Sequence, residues 1–276
     1  MRQSAKRMRE DEAEDPRFLT TLARGLSVLR AFRPSDDGLG NAEIAERTGL
    51  PKSTVSRLTY TLRALGYLSN ARRRDRYRPG PALLALGNVA AASISFVDLA
   101  GPLMQRLADQ TGTLALLAVR DEGRVLLVKT WRPRQVSSIW LEVGHRLPLS
   151  GSSSGHAVLG TLPADLLGGA VRAARGERGL DAAGAAEIRA QAQGQLAMQG
   201  FVIADPSTYF SPNVHAVSTP FQPRDLAEPV IFTCGAMPAD LTLARMRDEV
   251  GPKLRATVRE LEQIMGQGPF SQRQNV

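Results

Sequence analysis

Residues 41–65 read NAEIAERTGLPKSTVSRLTYTLRAL, and the rest of the chain is organised around this stretch. Residues 41–48 have helical spacing of apolar side chains, and Gly49 follows where a helix end favours a residue that tolerates positive φ. Pro51 stands where a second helix can begin without losing a needed N–H. The stretch therefore predicts two short helices joined by a tight turn.

The second of these helices has two different faces. Val55, Leu58, Leu62 and Leu65 follow the 3.6-residue period and form one apolar stripe, which predicts a buried face. An ordinary amphipathic surface helix would have the same pattern, but the tight turn before it and the basic segment after it favour a helix-turn-helix. The outward face then carries donors that can reach phosphates and base edges, and the predicted DNA contacts are Lys52, Ser53, Ser56, Arg57, Tyr60 and Arg63.

The segment after the helix pair is strongly basic. Gly66–Leu68 leads into a short predicted strand, and residues 72–78 contain five arginines before the second predicted strand ends at Pro79–Gly80. A hairpin with this charge is typical of a wing that lies against phosphates or enters a minor groove, although a merely solvated hairpin remains the alternative. The predicted backbone contacts are Arg72, Arg73, Arg74 and Arg76.

The composition fits two domains and a polyanionic partner. The 276 residues are 43% hydrophobic and carry a formal charge of +8, which is compatible with nucleic-acid binding without proving it. The one cysteine, Cys234, excludes an intrachain disulfide. An apolar run of about 18 residues, as a membrane span needs, is missing, as is the apolar core of a signal peptide. We therefore expect a soluble cytoplasmic protein without a membrane partner.

The expected domain organisation follows from the pattern along the chain. Residues 1–16 alternate basic and acidic side chains, which predicts a disordered tail; a basic arm that touches DNA is the alternative. From Arg17 the apolar residues Phe18, Leu22, Leu26 and Leu29, with Val28 and Phe32, predict a helix beneath the helix pair. The domains are expected to be a winged helix-turn-helix over 17–80, a linker helix over 81–96 that also buries surface in a subunit contact, and an effector-binding domain over 97–268.

The second half of the chain has the pattern of a mixed domain. Residues 113–119 and 124–129 predict a hairpin, and Val136–Val143 predicts another strand. Further strands are expected at 201–205, 215–220 and 229–235. Helices are expected after 151–155, over 163–175 and 183–199, and over Leu241–Met265 with a kink at Gly251–Pro252. Without regular βαβ alternation, this order predicts an α+β fold with an antiparallel sheet.

Three kinds of site are compatible with the second half. Gly151–Gly155 satisfies the G-x-S-x-G pattern, and Ser153 with Asp205 and His215 would follow the order of an α/β-hydrolase triad; however, Leu147–Leu149 interrupts the strand that the pattern needs. The same serine-rich turn can instead begin a helix whose free N–H groups hold an anion such as a carboxylate. A metal site from His145, His156, His215, Asp205 and Cys234 lacks short ligand spacing, so neither a metal nor another cofactor is expected.

Seven stretches together resemble the IclR (isocitrate lyase regulator) family of bacterial transcription factors, over about residues 17–266. They are residues 22–32, LARGLSVLRAF; 42–57, AEIAERTGLPKSTVSR; 65–68, LGYL; 77–80, YRPG; 143–149, VGHRLPL; 155–157, GHA; and 200–205, GFVIAD. The first block most resembles members that govern aromatic-acid catabolism. The resemblance implies a winged helix-turn-helix joined by a helix to a GAF-like effector domain, dimeric through the DNA-binding half and often a dimer of dimers.

The resemblance also implies the function and the effector site. The chain would be a regulator, not an enzyme, whose binding to double-stranded operator DNA is controlled by a small organic acid; the first block favours an aromatic one. Carried over residue by residue, the effector site would comprise Leu147, Leu149, Ser153, Ser154, Asp205, Asn213, His215, Phe232 and Cys234. Three consecutive serines, His215 and the loop Ser211–Asn213 depart from the family pattern and imply a more polar ligand. A ligand-binding protein that no longer binds DNA conflicts with the basic reader face, whereas a small serine hydrolase stays open as the alternative.

Overall fold

The computed structural model of the chain describes residues 17–71, 75–92, 96–174, 176–177 and 180–268. The predicted tail at 1–16 and the wing residues Arg72, Arg73 and Arg74 lie outside the described residues. The chain divides into two compact units between residues 95 and 96.

The first unit contains the predicted helix pair. Gly49 has a φ of 71°, and its N–H donates to the Ala45 carbonyl at 2.9 Å, which ends the first helix of the pair where the sequence predicts. Pro51 precedes the second helix, as predicted. The described elements are α1 Thr20–Leu29, β1 Leu39–Gly40, α2 Asn41–Thr48, α3 Lys52–Ala64, β2 Leu68–Asn70, β3 Arg76–Pro79 and α4 Pro81–Ala92.

The core of the first unit differs from the predicted stripes at three leucines. Leu22 and Leu26 are 60% and 50% exposed, because α1 turns the opposite side, with Val28, toward the core. Leu65 is 62% exposed because it follows the last residue of α3. Of the predicted apolar positions, Val28 is buried and Leu29 and Phe32 pack against the core, whereas these three leucines are exposed. The core cluster consists of Val28, Leu39, Ile44, Val55 and Leu68.

The wing is an antiparallel sheet in which β3 lies between β1 and β2. The predicted hairpin corresponds to β2 and β3, which pair with Ser69 opposite Arg78. Strand β1 was not predicted, because a pairing segment of two residues has no periodic pattern of its own. It ties the wing to the residues just before α2.

The described part of the predicted linker helix is α4, Pro81–Ala92, and the next described helix begins at Phe96. Phe96 is buried, and its ring centroid lies 5.2 Å from that of Phe221 and 6.4 Å from that of Phe232. Burial of this aromatic ring commits Phe96 to the core of the second unit.

The second unit is an α+β domain, as predicted. Its six strands form one antiparallel sheet in the order β6-β5-β4-β9-β8-β7. A π-helical turn, Met246–Val250, lies just before the predicted kink at Gly251–Pro252. The elements are α5 Phe96–Thr111, β4 Leu114–Asp121, β5 Arg124–Trp131, β6 Arg146–Pro148, α6 Ser153–Thr161, α7 Ala164–Ala173, α8 Ala182–Gln199, β7 Val202–Ile203, a 3₁₀ turn Pro206–Thr208, β8 His215–Phe221, β9 Val230–Ala236, α9 Leu243–Arg245 and α10 Gly251–Ile264.

The sheet buries both of its faces. On one face, Leu116 and Ile231 belong to the same core cluster as Ala157 and Leu159 of α6. On the other face, Phe232 packs against Phe96 of α5. Since neighbouring residues of a strand point to opposite faces, Ile231 and Phe232 face different layers of the domain. This alternation decides which side chains can meet α6.

The segment 136–143 is irregular, so the strand predicted there is wrong. The Arg132 guanidinium donates to the carbonyls of Ile139 at 3.0 Å and Leu141 at 2.8 Å. These carbonyls are therefore held by a side chain instead of a neighbouring strand. The edge of the sheet is formed by β6, in which Leu147 lies opposite Val125 of β5.

Candidate functional site

The outward face of α3 is open to solvent over its whole length. All six predicted DNA contacts on this helix are exposed, and the Arg63 guanidinium carbon lies 5.7 Å from the centre of the Tyr60 ring. This distance is within the range of a cation–π contact. The face therefore presents hydroxyl, guanidinium and ammonium donors side by side, which is the chemistry that phosphates and base edges accept.

A buried threonine fixes α3 against α2. Thr59 is fully buried, and its Oγ1 lies 2.9 Å from Asn41 Oδ1 and 3.0 Å from the Val55 carbonyl. The hydroxyl can donate to only one of these oxygens at a time. Sequence periodicity missed Thr59 because threonine is polar, although it occupies a core position between Val55 and Leu62. The contact links the two helices on the side away from the exposed face.

An ion pair holds the start of the first unit against α2. Arg47 Nη1 and Nη2 donate to the two carboxylate oxygens of Asp36 at 2.6 and 2.9 Å, and Nη1 also donates to the Ala31 carbonyl at 2.9 Å. The hydrogen bonds from Arg47 lower the pKa of the Asp36 carboxyl. Two-pronged pairing of this kind fixes orientation as well as distance.

Arg76 has a different environment from the one predicted. Its Nη2 donates to Glu43 Oε1 at 2.8 Å and to the Gly38 carbonyl at 2.8 Å, and its Nε donates to the same carbonyl at 3.2 Å. The Gly40 N–H and then Arg76 lower the pKa of Glu43. These contacts brace the central strand of the wing against α2. The contact of Arg76 with the DNA backbone stays a prediction.

The second unit contains a small cavity at the start of α6. The enclosed space measures about 10 Å³, roughly the room that one water molecule needs. Lysine and arginine are absent from its lining within the described residues, whereas the N-terminus of α6 contributes positive potential there. The cavity is lined by Leu116, Ile139, Leu141, Leu147, Ser152, Ser153, Ser154, Tyr209, Phe210, Val214, Ala216, Thr233 and Gly235.

Five hydroxyl groups form a connected polar network at this cavity. Ser154 Oγ lies 2.9 Å from Thr233 Oγ1, which lies 2.7 Å from Ser218 Oγ; this oxygen lies 3.0 Å from Ser153 Oγ. The Tyr209 hydroxyl completes the network, 2.8 Å from Ser153 Oγ. Burial raises the pKa of Tyr209 to about 12, so the phenol keeps its proton at neutral pH.

The start of α6 is fixed by its first residues. Ser152 Oγ accepts from the Gly155 N–H at 3.0 Å and donates to the Pro148 carbonyl at 2.7 Å. A side chain at Gly155 would collide with the Leu149 carbonyl. The serine-rich turn therefore begins a helix, as predicted, and only glycine fits where α6 crosses the end of β6.

Three of the nine predicted effector residues line the cavity: Leu147, Ser153 and Ser154. Leu149 is buried in the core cluster that includes α6, and Asp205 and Asn213 are exposed on the loop between β7 and β8. His215 on β8 and Phe232 and Cys234 on β9 are at positions whose side chains point to the face of the sheet opposite α6. Their neighbours Ala216, Thr233 and Gly235 line the cavity instead. The assignment of the nine residues to an effector site stays a prediction.

The three residues of the hydrolase alternative are not assembled. Ser153 Oγ is hydrogen-bonded to Tyr209 and Ser218, whereas His215 Nδ1 donates to the Leu241 carbonyl at 2.8 Å. The Asp205 carboxylate accepts from the Ser207 N–H at 2.9 Å and caps the 3₁₀ turn. A nucleophile needs a base within hydrogen-bond reach, and this arrangement gives Ser153 none.

The residues considered as metal ligands are separated in the same way. The described part of the chain contains no group of three His, Cys, Asp or Glu side chains close enough to hold a metal ion. His156 Nε2 lies 2.6 Å from the Ser150 carbonyl, and His145 Nδ1 accepts from the Glu142 N–H at 2.9 Å. Cys234 is buried, which raises the pKa of its thiol to about 12.

Sequence reasoning missed Tyr209, Ser218 and Thr233. Tyr209 is a single aromatic residue in a loop, and only the closure of the sheet brings it to α6. The two strand residues have a polar character that could have drawn attention, but β8 and β9 are buried on both faces, and such strands lack the alternation that assigns a side chain to a face.

Comparison with known proteins identifies both units. Residues 21–71 match the IclR helix-turn-helix domain, and residues 89–178 match the C-terminal domain of bacterial IclR transcriptional regulators. The HTH-type transcriptional regulator TsaQ1/TsaQ2 of Comamonas testosteroni is 28% identical over 89% of this chain and 88% of its own length. For several other curated relatives, the matched region spans about half of their length.

Solved structures have the same architecture. An IclR family transcriptional regulator from Brucella abortus is 31% identical, with a TM-score of 0.73 over 92% of this chain and 95% of that one. An IclR homologue from Microbacterium hydrocarbonoxydans, solved as a complex with 4-hydroxybenzoate, has a TM-score of 0.63 over 87% of this chain and 100% of that one. At 19% identity, the second likeness concerns the fold alone. In the described residues, every helix is too short or too polar to cross a membrane.

Proposed function

Because the chain belongs to the IclR family of DNA-binding transcriptional regulators, we propose that it binds operator DNA through α3 and that a small organic acid in the cavity beside α6 controls this binding. The proposal rests on one observation: one unit exposes a face of α3 that is rich in hydrogen-bond donors, and the other unit contains a cavity lined partly by hydroxyl groups. The proposed division of labour is DNA binding by residues 17–80, linkage by 81–96 and effector binding by 97–268.

The DNA-binding half of the proposal rests on the exposed face and on what holds it in place. Ser53, Ser56, Arg57 and Tyr60 would contact base edges, with Lys52 and Arg63 on the flanking phosphates. Thr59 on the inner side of α3 and the Arg47–Asp36 pair on α2 keep the helix in one orientation. A fixed reader helix binds DNA with less loss of conformational freedom than a mobile one. Arg72, Arg73 and Arg74 would add backbone contacts from the wing.

The effector half of the proposal rests on the chemistry of the cavity. Apolar side chains cover its walls, while hydroxyl groups and the start of α6 form its floor. Small-molecule sites combine apolar walls with a few fixed polar groups in this way. A relative of the same fold was solved with 4-hydroxybenzoate, and we propose a small, preferably aromatic, acid for this chain. Binding would shift the population of dimer geometries and so the spacing of two reader helices.

The first unit also exposes apolar surface that suits a homodimer. Leu19, Leu22 and Leu26 of the α1 region are half or more exposed, as are Leu84, Leu86 and Val89 of α4. Clusters of exposed leucine and valine are typical of surfaces that another chain covers. We propose a homodimer through this unit, able to assemble further into a dimer of dimers. Sedimentation of the purified protein at micromolar concentration tests this part: a monomer would contradict it.

The proposed location is the cytoplasm, since operator binding needs access to the chromosome, and no catalytic role is proposed. The decisive experiment begins by selecting bound duplexes from a random-sequence pool. Fluorescence anisotropy then compares a selected duplex with its scrambled version, each with and without a panel of aliphatic acids, benzoate and 4-hydroxybenzoate. Equal affinity for selected and scrambled DNA would contradict the regulator proposal, and an acid-independent affinity across the panel would contradict effector control.

A further inference from the structure

The loop between β7 and β8 places one aromatic side chain inside the cavity. The loop is pinned at two points: Asp205 caps its 3₁₀ turn through the Ser207 N–H at 2.9 Å, and the Phe210 N–H donates to the Gly151 carbonyl at 2.9 Å. Between these points, Tyr209 turns its ring toward α6. Its hydroxyl lies 2.8 Å from Ser153 Oγ, 3.0 Å from the Ala216 carbonyl and 3.3 Å from the Ser153 N–H.

The Tyr209 hydroxyl is the donor in both of its short contacts at this end of the network. It donates to the Ala216 carbonyl at 3.0 Å and to Ser153 Oγ at 2.8 Å, so its single proton is shared between two acceptors. Ser153 Oγ also accepts from Ser218 at 3.0 Å. Because the Ala216 carbonyl can only accept, an occupant that replaces the Tyr209 hydroxyl must bring a hydrogen-bond donor to it.

A phenol hydroxyl meets this demand, but a carboxylate does not. An ionised carboxylate has only acceptor oxygens, so it would leave the Ala216 carbonyl without a donor and repel it. A neutral hydroxyl on an aromatic ring reproduces both contacts of Tyr209. The apolar walls, which include Leu116, Leu147 and Val214, match the ring itself.

The space beside Tyr209 is too small for such a molecule. Only about 10 Å³ is enclosed, whereas sites for small organic ligands measure roughly 300–1,000 Å³. We propose that the Tyr209 phenol is a built-in occupant of the effector cavity, and that the effector is a hydroxyaromatic acid whose hydroxyl replaces that of Tyr209 between Ser153 and Ala216. The inference rests on the proposed effector control and assigns its ligand class and the residue that the ligand displaces.

Displacement of Tyr209 sets the apparent affinity. While the phenol occupies its place, only the small open fraction of molecules can bind the effector, and the apparent dissociation constant rises by the inverse of that fraction. Weakening the hold on Tyr209 should therefore tighten effector binding. A residue that merely contacts a bound effector would have the opposite effect when it is removed.

Isothermal titration with 4-hydroxybenzoate and benzoate tests the proposal on the full chain. We expect Tyr209→Ala to bind 4-hydroxybenzoate at least about tenfold more tightly than the wild type, and Tyr209→Phe, which keeps the ring, about three- to tenfold more tightly. Benzoate, which lacks the hydroxyl, should gain much less. Phe210→Ala is the matched control, since it removes a neighbouring ring from the same lining without freeing the site between Ser153 and Ala216.

Hydrogen exchange gives a second readout that needs no variant. If 4-hydroxybenzoate displaces Tyr209 in the wild type, amide exchange in residues 205–214 should become faster. If Tyr209 instead stays in place and contacts the bound acid, exchange in these residues should become slower. Unchanged or weaker binding by both Tyr209 variants, or an equal gain in Phe210→Ala, would overturn the proposal. If Tyr209→Ala does not fold, the result for Tyr209→Phe decides. If acids change DNA binding by the wild type but the Tyr209 variants bind 4-hydroxybenzoate more weakly, only this inference is refuted. If the Tyr209 variants bind 4-hydroxybenzoate more tightly but the acid has no effect on DNA binding, only effector control is refuted.

Discussion

The Tyr209 hydroxyl lies 2.8 Å from Ser153 Oγ, a contact that joins the loop after β7 to the first turn of α6. The two residues are far apart in sequence, and neither contact partner is charged. The contact covers the cavity on the loop side, and the hydroxyl groups of the cavity remain hydrogen-bonded to one another. It couples the stability of the second unit to the protonation state of one phenol.

The first prediction concerns stability at alkaline pH. Burial raises the pKa of Tyr209 from 10.0 to about 12. Between these values the unfolded chain has lost the phenol proton and the folded chain has kept it, so raising the pH favours unfolding. The contribution is full below pH 10 and is lost as the pH rises toward 12. Urea denaturation should show that the wild type loses more unfolding free energy than Tyr209→Phe in this window, by at most about 1.4 kcal/mol per pH unit. Cys234 contributes equally to both proteins, so parallel curves would contradict this prediction.

The second prediction concerns mildly acidic pH. Burial lowers the pKa of His156 below 6.5, although its contact with the Ser150 carbonyl and the nearby Glu177 oppose the shift. The unfolded chain then binds a proton at a higher pH than the folded chain, so the stabilising contribution exists above pH 6.5 and is lost as the pH falls below it. His156→Gln, measured by urea denaturation at pH 7.5 and 5.5, should lose less unfolding free energy on acidification than the wild type. An equal or larger loss would mean that His156 is not held neutral.

The third prediction compares two helical glycines. At Gly155 an added methyl group would collide with the Leu149 carbonyl, whereas at exposed Gly194 of α8 it would meet no heavy atom within 4 Å. Gly155→Ala should lower the free energy of unfolding by about 1–3 kcal/mol through overpacking. Gly194→Ala should raise it by about 0.5–1 kcal/mol, because alanine loses less backbone freedom in a helix. Thermal or urea denaturation of both variants checks the pair, and two changes of the same sign would contradict the packing of α6 on β6.

Local signals in the sequence were enough to predict the elements that carry the proposed functions. Gly49 and Pro51 mark the turn between α2 and α3 through their own backbone preferences, and the serines before Gly155 mark the start of α6 in the same way. Such signals depend on a few neighbouring residues and survive in any tertiary context. The helix pair and the antiparallel α+β domain could therefore be predicted without coordinates.

Features decided by distant contacts could not be predicted. Apolar residues over 136–143 indicate a strand, but Arg132 takes up their carbonyls. On β9, Thr233 and Cys234 are both buried, so nothing in the local pattern tells which of them faces α6. Tyr209 reaches Ser153 only because the sheet and α6 are already in place. The hydroxyl chain, which carries the effector inference, is therefore a property of the assembled domain.

The last prediction separates base reading from phosphate contact in the DNA-binding unit. Arg57 is exposed on α3 beside Ser56, so Arg57→Ala should weaken binding to a selected duplex by about 1–3 kcal/mol, with little effect on scrambled DNA. Replacing Arg72, Arg73 and Arg74 by alanine should weaken binding to all duplexes alike and flatten the dependence on salt, because fewer counterions are released. Arg172→Ala, which removes one exposed arginine from α7, is the charge-matched control for Arg57→Ala.

Fluorescence anisotropy at several salt concentrations distinguishes these outcomes. Arg57→Ala should discriminate less between the two duplexes, and the salt dependence of its affinity should correspond to the loss of at most about one phosphate contact. The wing variant should discriminate as well as the wild type, and its salt dependence should correspond to the loss of about three phosphate contacts. The reverse result would place base reading in the wing. Because Arg76 is bound to Glu43 and Gly38, its replacement should lower the stability of the first unit as well as DNA affinity, a combination that the three wing arginines should not share.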